Sequence, residues 1–133
     1  GLVWLLFAGT VAIDWLAVSI CEWLDLSAFY GPQPFHLVGS PLWFSFCDAT
    51  GAFVLAAALR LFGNHLTGER QAWLLVLPTF TYGGTLGSVT APVSLALNSG
   101  WSAPWVWAGG AATMVLCMMA IHVIAGFVSR ERG

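Results

Sequence analysis

The pattern of apolar and charged positions divides the chain into long apolar runs separated by short polar segments. Between Arg70 and Arg130 the sequence contains no Asp, Glu, Lys or Arg, and most positions in this interval are apolar. One membrane crossing needs about 20 apolar residues, so the interval has room for two. The pattern therefore predicts an integral membrane protein.

Four helices are predicted, at about residues 2–24, 41–62, 72–96 and 104–128. Pro41 favours the start of the second helix, because a proline in the first turn forfeits no helical hydrogen bond. The Gly- and Pro-rich residues 25–40 form a long loop, and short connectors follow the second and third helices. The expected fold class is an all-α, integral membrane four-helix bundle that forms one transmembrane domain over residues 1–133.

The arginines predict the orientation of this bundle. Arg60 and Arg70 flank the second connector, and Arg130 and Arg132 follow the last helix. With four crossings all of them fall on one side, which the positive-inside rule makes cytoplasmic, together with both termini. The loop of residues 25–40 then faces the outside or periplasm. We expect a bacterial inner (plasma) membrane and no cleavable signal peptide, and whether residues precede Gly1 is left open.

Composition narrows the function classes. The chain is 59% hydrophobic and 8% charged, whereas soluble domains have roughly 25% charged residues. A net charge of −2 and the absence of Lys argue against nucleic-acid binding. Neither the cysteines nor the histidines have metal-ligand spacing, so no metal and no cofactor is predicted. We expect the cysteines to pack as apolar side chains, although Cys21 and Cys47 lie near one membrane face and a disulfide between them stays open.

Buried acids are the most informative polar residues. Asp14 lies about 12 Å below the outer end of the first helix, and Asp48 lies about 10 Å below the same membrane face in the second. Glu22 lies eight residues after Asp14. No Lys or Arg lies in the outer half to neutralise these acids, so burial and mutual repulsion favour the neutral form of at least one of them.

Two interpretations of these acids compete. A charged carboxylate at the centre of a membrane helix costs at least ~2.5–3.5 kcal/mol, and such residues usually mark function. Alternatively, Asp14 and Asp48 hold helices together through polar contacts, which contribute only ~0.6 kcal/mol on average. We favour function, because a packing contact hardly offsets the insertion cost.

The third helix has an unusual density of Gly, Pro and Thr. Gly83 and Gly87 have the small-xxx-small spacing that permits close helix approach. The same composition indicates a broken or kinked helix, which is tolerated at membrane depth against protein or a wet cavity. Tyr82, near the middle of the membrane, needs a hydrogen-bond partner and is a candidate to orient a substrate or relay a proton.

The run Phe35-His36-Leu37-Val38-Gly39-Ser40-Pro41 resembles a segment of the small four-helix membrane isomerases of the styrene oxide isomerase type. The resemblance implies a similar layout and epoxide isomerisation. Those isomerases use a haem whose iron is held by a His in the second helix, and the matching position here is Asp48, so no haem is expected. Residues 30–35 and 41–43 are also similar to uncharacterised multi-pass membrane proteins of high-GC bacteria, which implies no activity.

These observations predict an acid-dependent isomerase or cyclase that acts on an apolar isoprenoid- or epoxide-like substrate, in chemical analogy to membrane-bound terpene cyclases. Asp48 or Asp14 would be the general acid and the other the base or cation stabiliser. The predicted catalytic residues are Asp48, Asp14 and Glu22, and the predicted substrate-binding residues are Trp15, Tyr82, Ser88, Asn98 and Trp43.

The competing hypothesis is a non-catalytic accessory subunit of a larger membrane protein complex. A short chain with small-residue helix faces suits that role. Expected partners are membrane lipid and a hydrophobic small-molecule substrate, with a homo-oligomer or a larger complex left open. A proton or ion pathway is disfavoured, because the cytoplasmic halves of the first two helices are apolar.

Overall fold

A computed structural model describes residues 1–130 of the chain. This part is almost entirely helical and contains one small hairpin. The elements are α1 (Leu2–Trp23), β1 (His36–Leu37), β2 (Ser40–Pro41), α2 (Leu42–Phe62), α3 (Trp73–Val89), α4 (Ala91–Asn98) and α5 (Ala103–Arg130). Two 3-10 turns, Gly63–His65 and Gly68–Ala72, connect α2 to α3. Arg132, used above for orientation, lies outside the described residues.

Three of the helices are long and apolar enough to cross a membrane. They are Leu2–Trp23, Leu42–His65 and Ala103–Arg130. Large apolar side chains such as Leu5, Ile13, Leu75 and Val123 are exposed on the helix surfaces, which suits a lipid environment better than water. The all-helical class predicted from the sequence is therefore confirmed, and three helices of the described residues have the length and apolar character of membrane spans.

The third predicted helix is not continuous. A single helix over 72–96 is wrong, because α3 ends at Val89 and α4 begins at Ala91. Pro92 stands in the first turn of α4, where its missing N–H and its ring prevent α3 from continuing regularly past Ser88. Thr90 keeps right-handed helical dihedral angles, so the result is a break within a helical path, as the Gly, Pro and Thr content predicts.

Helix α2 lies at the centre of the fold and contacts α1, α3 and α5, while α4 packs on α5. The core consists of two clusters of buried apolar side chains. One contains Trp43, Cys47, Val89, Val93 and Cys117, and the other contains Phe7, Val11, Ala49 and Ile121. This arrangement places side chains of α2 between those of α1 on one side and α3 on the other.

The close contacts between helices do not involve the predicted glycine pair. Gly83 and Gly87 are exposed, and a Cβ added to either would meet no other atom of residues 1–130 within 4 Å. Neither glycine therefore mediates a close helix contact within residues 1–130, and the predicted close approach is wrong there. The tight contact is instead at Gly109 of α5, where an added Cβ would lie 2.9 Å from the carbonyl oxygen of Pro92.

The cysteines are free thiols. Cys47 of α2 and Cys117 of α5 are fully buried, with their Sγ atoms 3.9 Å apart. The predicted apolar packing is confirmed for this pair, since both lie in the core between the two helices. Cys21 is partly exposed and does not pair with Cys47.

The segment before α2 forms a hairpin rather than an irregular loop. Its strands pair antiparallel, with His36 opposite Pro41 and Leu37 opposite Ser40. The turn residues Val38 and Gly39 have φ angles of +47° and +94°, as a type I′ turn requires. Glycine adopts such a conformation freely, whereas a β-branched valine is strained there.

Candidate active site

Three helices contribute polar side chains to one group beside α2. The hydroxyl of Tyr82 on α3 donates a hydrogen bond to Oδ1 of Asp48 on α2. Asp14 on α1 is close enough to interact electrostatically with both. The Asp14–Asp48–Tyr82 group thus crosses the fold from α1 to α3. The hydrogen-bonded carboxyl group and phenol of Asp48 and Tyr82 can donate, accept and share a proton.

Gly51 makes the contact between Tyr82 and Asp48 possible. It lies three residues after Asp48 and therefore on the same face of α2. A Cβ added to Gly51 would lie 2.6 Å from Cδ2 of the Tyr82 ring, which is closer than any side-chain carbon can approach. The absence of a side chain at this position lets the ring lie against the helix, so that its hydroxyl reaches one turn back to the carboxyl group.

The surroundings of the two acids are poor in compensating charge. Asp14 and Asp48 are both half-buried, and Oδ2 of Asp14 is buried without a hydrogen-bond partner among residues 1–130. Along α2, the next basic residue after Asp48 is Arg60, about 18 Å away at 1.5 Å per residue. The hydroxyl of Tyr82 is therefore the polar group that the structure places on the Asp48 carboxyl group.

Tyr82 also lines an apolar cleft between α2 and α3. The cleft has a volume of about 500 Å³ and is further lined by Leu55, Pro78, Thr79 and Gly83. This is within the range of small-molecule sites, which measure about 300–1,000 Å³. Tyr82 therefore lies between the Asp48 carboxyl group, to which it is hydrogen-bonded, and a space large enough for an apolar ligand.

Trp15, predicted to line the same pocket as Tyr82, lies on the other side of α2. It borders a separate cleft of about 390 Å³ between α1, α2 and α5, together with Phe7, Val11 and Phe46. Its indole Nε1 donates to the carbonyl oxygen of Ser40, 3.4 Å away. Trp15 thus ties α1 to the hairpin.

Glu22 lies apart from Asp14 and contacts the hairpin. Its Oε2 is 3.7 Å from Nε2 of His36, and an added Cβ on Gly39 would lie 3.5 Å from the same oxygen. His36 had no predicted role. The Val38-Gly39 turn, which brings His36 back to α1, has only the glycine of the Asn-Gly pair that is typical of such turns.

The remaining predicted substrate-binding residues make local contacts. Ser88 donates to the carbonyl oxygens of Gly84 and Thr85 in its own helix, and Asn98 donates to that of Ser94. Trp43 is buried in the core against Phe44. The structure does not link these three side chains to Asp48 by any hydrogen bond within residues 1–130.

Within the described part of the chain, no group of three or more His, Cys, Asp or Glu side chains is arranged to hold a metal ion. In comparisons with known proteins, no protein-family model, no curated protein and no solved structure matches this chain. A function for this chain therefore has to be inferred from the chemistry of its own residues.

Proposed function

We propose that this protein is a membrane-embedded, acid-dependent isomerase or cyclase for an apolar isoprenoid- or epoxide-like substrate that reaches it through the bilayer. The observation that carries the proposal is the hydrogen bond from Tyr82 to Asp48, at the edge of an apolar cleft of about 500 Å³. A polar pair of this kind at membrane depth is costly and usually serves a function.

In this proposal Asp48 enters the reaction protonated and is the general acid. Its Oδ1 is then the carbonyl oxygen that accepts the Tyr82 hydrogen bond, and the acidic proton is on Oδ2. A donor on Oδ1 stabilises the carboxylate that remains after proton transfer, because hydrogen bonds to charged acceptors are stronger than those to neutral ones. Tyr82 therefore both orients the acid and favours release of its proton.

The reaction balances without a second reactant. Asp48 transfers its proton to an epoxide oxygen or an alkene carbon, and the C–O or π bond breaks to leave a carbocation. Loss of a neighbouring C–H proton to the Asp48 or Asp14 carboxylate, or attack by a second alkene followed by proton loss, gives an isomer of the substrate. The face of Tyr82 in the cleft stabilises the cation.

Matched Asp→Asn variants test this activity. A bacterial host that accumulates linear isoprenoids and their epoxides expresses the wild type, Asp48→Asn, Asp14→Asn or the control Asp25→Asn, whose side chain is in an exposed turn. We expect the wild type and the control to produce a new lipid of unchanged mass and altered retention, and Asp48→Asn to produce none. Unchanged product in both Asp48→Asn and Asp14→Asn would contradict the mechanism.

The proposal includes four membrane crossings, with α3 and α4 together forming the third. Positive charge at Arg60, Arg70 and Arg130 then lies on the cytoplasmic side with both termini of the described chain. Protease-accessible tags at the two ends should be cleaved from the same side of inverted inner-membrane vesicles. Cleavage from opposite sides would mean that α3 and α4 do not cross.

One observation favours a second candidate function, an accessory subunit of a larger membrane complex. Gly83, Gly84 and Gly87 form an exposed face of α3 with open space around it among residues 1–130, and membrane helices associate through such small-residue faces. Under this hypothesis, Gly87→Leu would abolish co-purification of a defined partner in mild detergent. Under the isomerase hypothesis the same substitution leaves lipid conversion intact.

A further inference from the structure

A second polar site lies at the carboxyl-terminal end of α1, where the hairpin packs beside it. A cleft of about 490 Å³ separates the two, and its walls include the apolar side chains of Leu16, Ile20, Trp23 and Val38. Ser19 and Glu22 also line it. They lie three residues apart and so share one face of α1. The cleft is thus apolar except for one polar strip.

Two polar side-chain atoms in this strip make no hydrogen bond. The hydroxyl of Ser19 and Oε2 of Glu22 are both buried without a hydrogen bond from residues 1–130. Nε2 of His36 lies 3.7 Å from that oxygen, which is too long for a hydrogen bond. Buried polar groups are nearly always hydrogen-bonded, so unpaired polar atoms beside a cleft indicate that a polar group binds there.

We infer that this cleft binds the hydroxyl head group of a long-chain alcohol, with the alkyl or isoprenoid chain against its apolar walls. A hydroxyl donates to Glu22 and accepts from His36 or Ser19, so it satisfies an acceptor and a donor at once. A carboxylate head would repel Glu22. An ammonium head pairs with Glu22 but cannot accept from His36. A site with both an acceptor and a donor therefore favours the alcohol.

This inference does not depend on the proposed isomerase activity. Glu22 lies eight residues from Asp14, about 12 Å along α1, and Tyr82 borders a different cleft. The two sites can therefore be removed separately. Asp48→Asn, which is expected to abolish conversion of the isoprenoid, should leave binding of the alcohol unchanged.

Photoaffinity labelling with 1-dodecanol carrying a diazirine near the hydroxyl tests the inference, in phosphatidylcholine vesicles that contain the full chain. We expect the label on the peptides that contain Trp23 and Val38, and unlabelled 1-dodecanol should compete for it. Glu22→Leu should weaken competition about tenfold, as expected for loss of a charge-assisted hydrogen bond. Ser19→Ala should weaken it severalfold, and the control Glu69→Leu, in the exposed connector, should have no effect.

Two further probes distinguish a specific site from an apolar surface. A dodecane diazirine without the hydroxyl should label the cleft no more than it labels other lipid-facing segments, and dodecylamine should compete less well than 1-dodecanol. The inference is overturned if the hydroxyl-free probe labels the cleft equally. It is also overturned if the amine competes better, or if Glu22→Leu and Ser19→Ala both bind like the wild type.

Discussion

The aromatic ring of Tyr82 lies directly against the backbone of Gly51, so closely that a single added methyl carbon would be 2.6 Å from the ring. Because Gly51 and Asp48 share a face of α2, this contact also sets the position of the Tyr82 hydroxyl on the carboxyl group. A glycine, which has no side chain to take part, thus controls the hydrogen bond on which the proposed chemistry depends.

Gly51→Ala should displace Tyr82 and break its hydrogen bond to Asp48. We expect a loss of about 1–3 kcal/mol in the free energy of unfolding, as for other overpacked positions. The control is Gly126→Ala in α5, where the added carbon meets no other described atom, and where alanine should add up to about 1 kcal/mol of helix stability. Denaturation in mixed detergent–SDS micelles measures both. Equal stabilisation by the two substitutions would contradict the contact.

The hydrogen bond itself can be measured with a double-mutant cycle. Asp48→Ala and Tyr82→Phe should show an interaction energy of about 0.5–3 kcal/mol, because the first removes the acceptor and the second the donor of the same hydrogen bond. Tyr30 is an exposed loop residue, so Asp48→Ala combined with Tyr30→Phe should be additive within about 0.5 kcal/mol. An additive Asp48–Tyr82 pair would show that the bond contributes nothing to stability.

The packing of α4 on α5 depends on Gly109. Gly109→Ala should lower the free energy of unfolding by about 1–3 kcal/mol, since its methyl group would lie 2.9 Å from a backbone oxygen and 3.2 Å from Cα of Val93. Gly87→Ala, on the exposed face of α3, should be neutral or stabilising in the monomer. A larger loss from Gly87→Ala would mean that its face is the one in contact.

The hairpin turn contains a residue with a strained backbone, and a substitution at that residue should relieve the strain. Val38 is 81% exposed and adopts a positive φ that costs about 1–3 kcal/mol for such a residue. Val38→Asn creates the Asn-Gly pair that type I′ turns favour, so we expect the melting temperature in detergent to rise. Gly39→Val, at φ +94°, should lower it. If both substitutions lowered the melting temperature, the turn would have another conformation.

Sequence reasoning could place Asp14 and Asp48 at similar depth, because helical rise converts residue number into distance. It also indicated that Tyr82 needs a partner. It could not identify that partner, since the rotation of α3 and the space left by Gly51 decide which carboxyl group the hydroxyl reaches. The structure adds the contact between Tyr82 and Asp48.

The same limit explains the incorrect expectation for Gly83 and Gly87. Their spacing is that of a packing motif, but spacing does not specify which neighbour a helix face meets, and α3 turns this face outward. His36 was missed for a different reason. Its contact with Glu22 depends on a tight turn in which Val38 takes a backbone conformation that valine disfavours. The conformational preference of valine therefore does not predict this turn.

Infrared spectroscopy of carboxyl C=O bands tests the central claim, that Asp48 is a protonated acid oriented by Tyr82, without knowledge of the substrate. At neutral pH the wild type should show a protonated-carboxyl band that disappears in Asp48→Asn and persists in Asp25→Asn. In Tyr82→Phe the band should move to higher frequency, because the carbonyl oxygen loses its donor. Identical spectra for the wild type and Asp48→Asn in this region would show that Asp48 is ionised, and would contradict the proposed role as general acid.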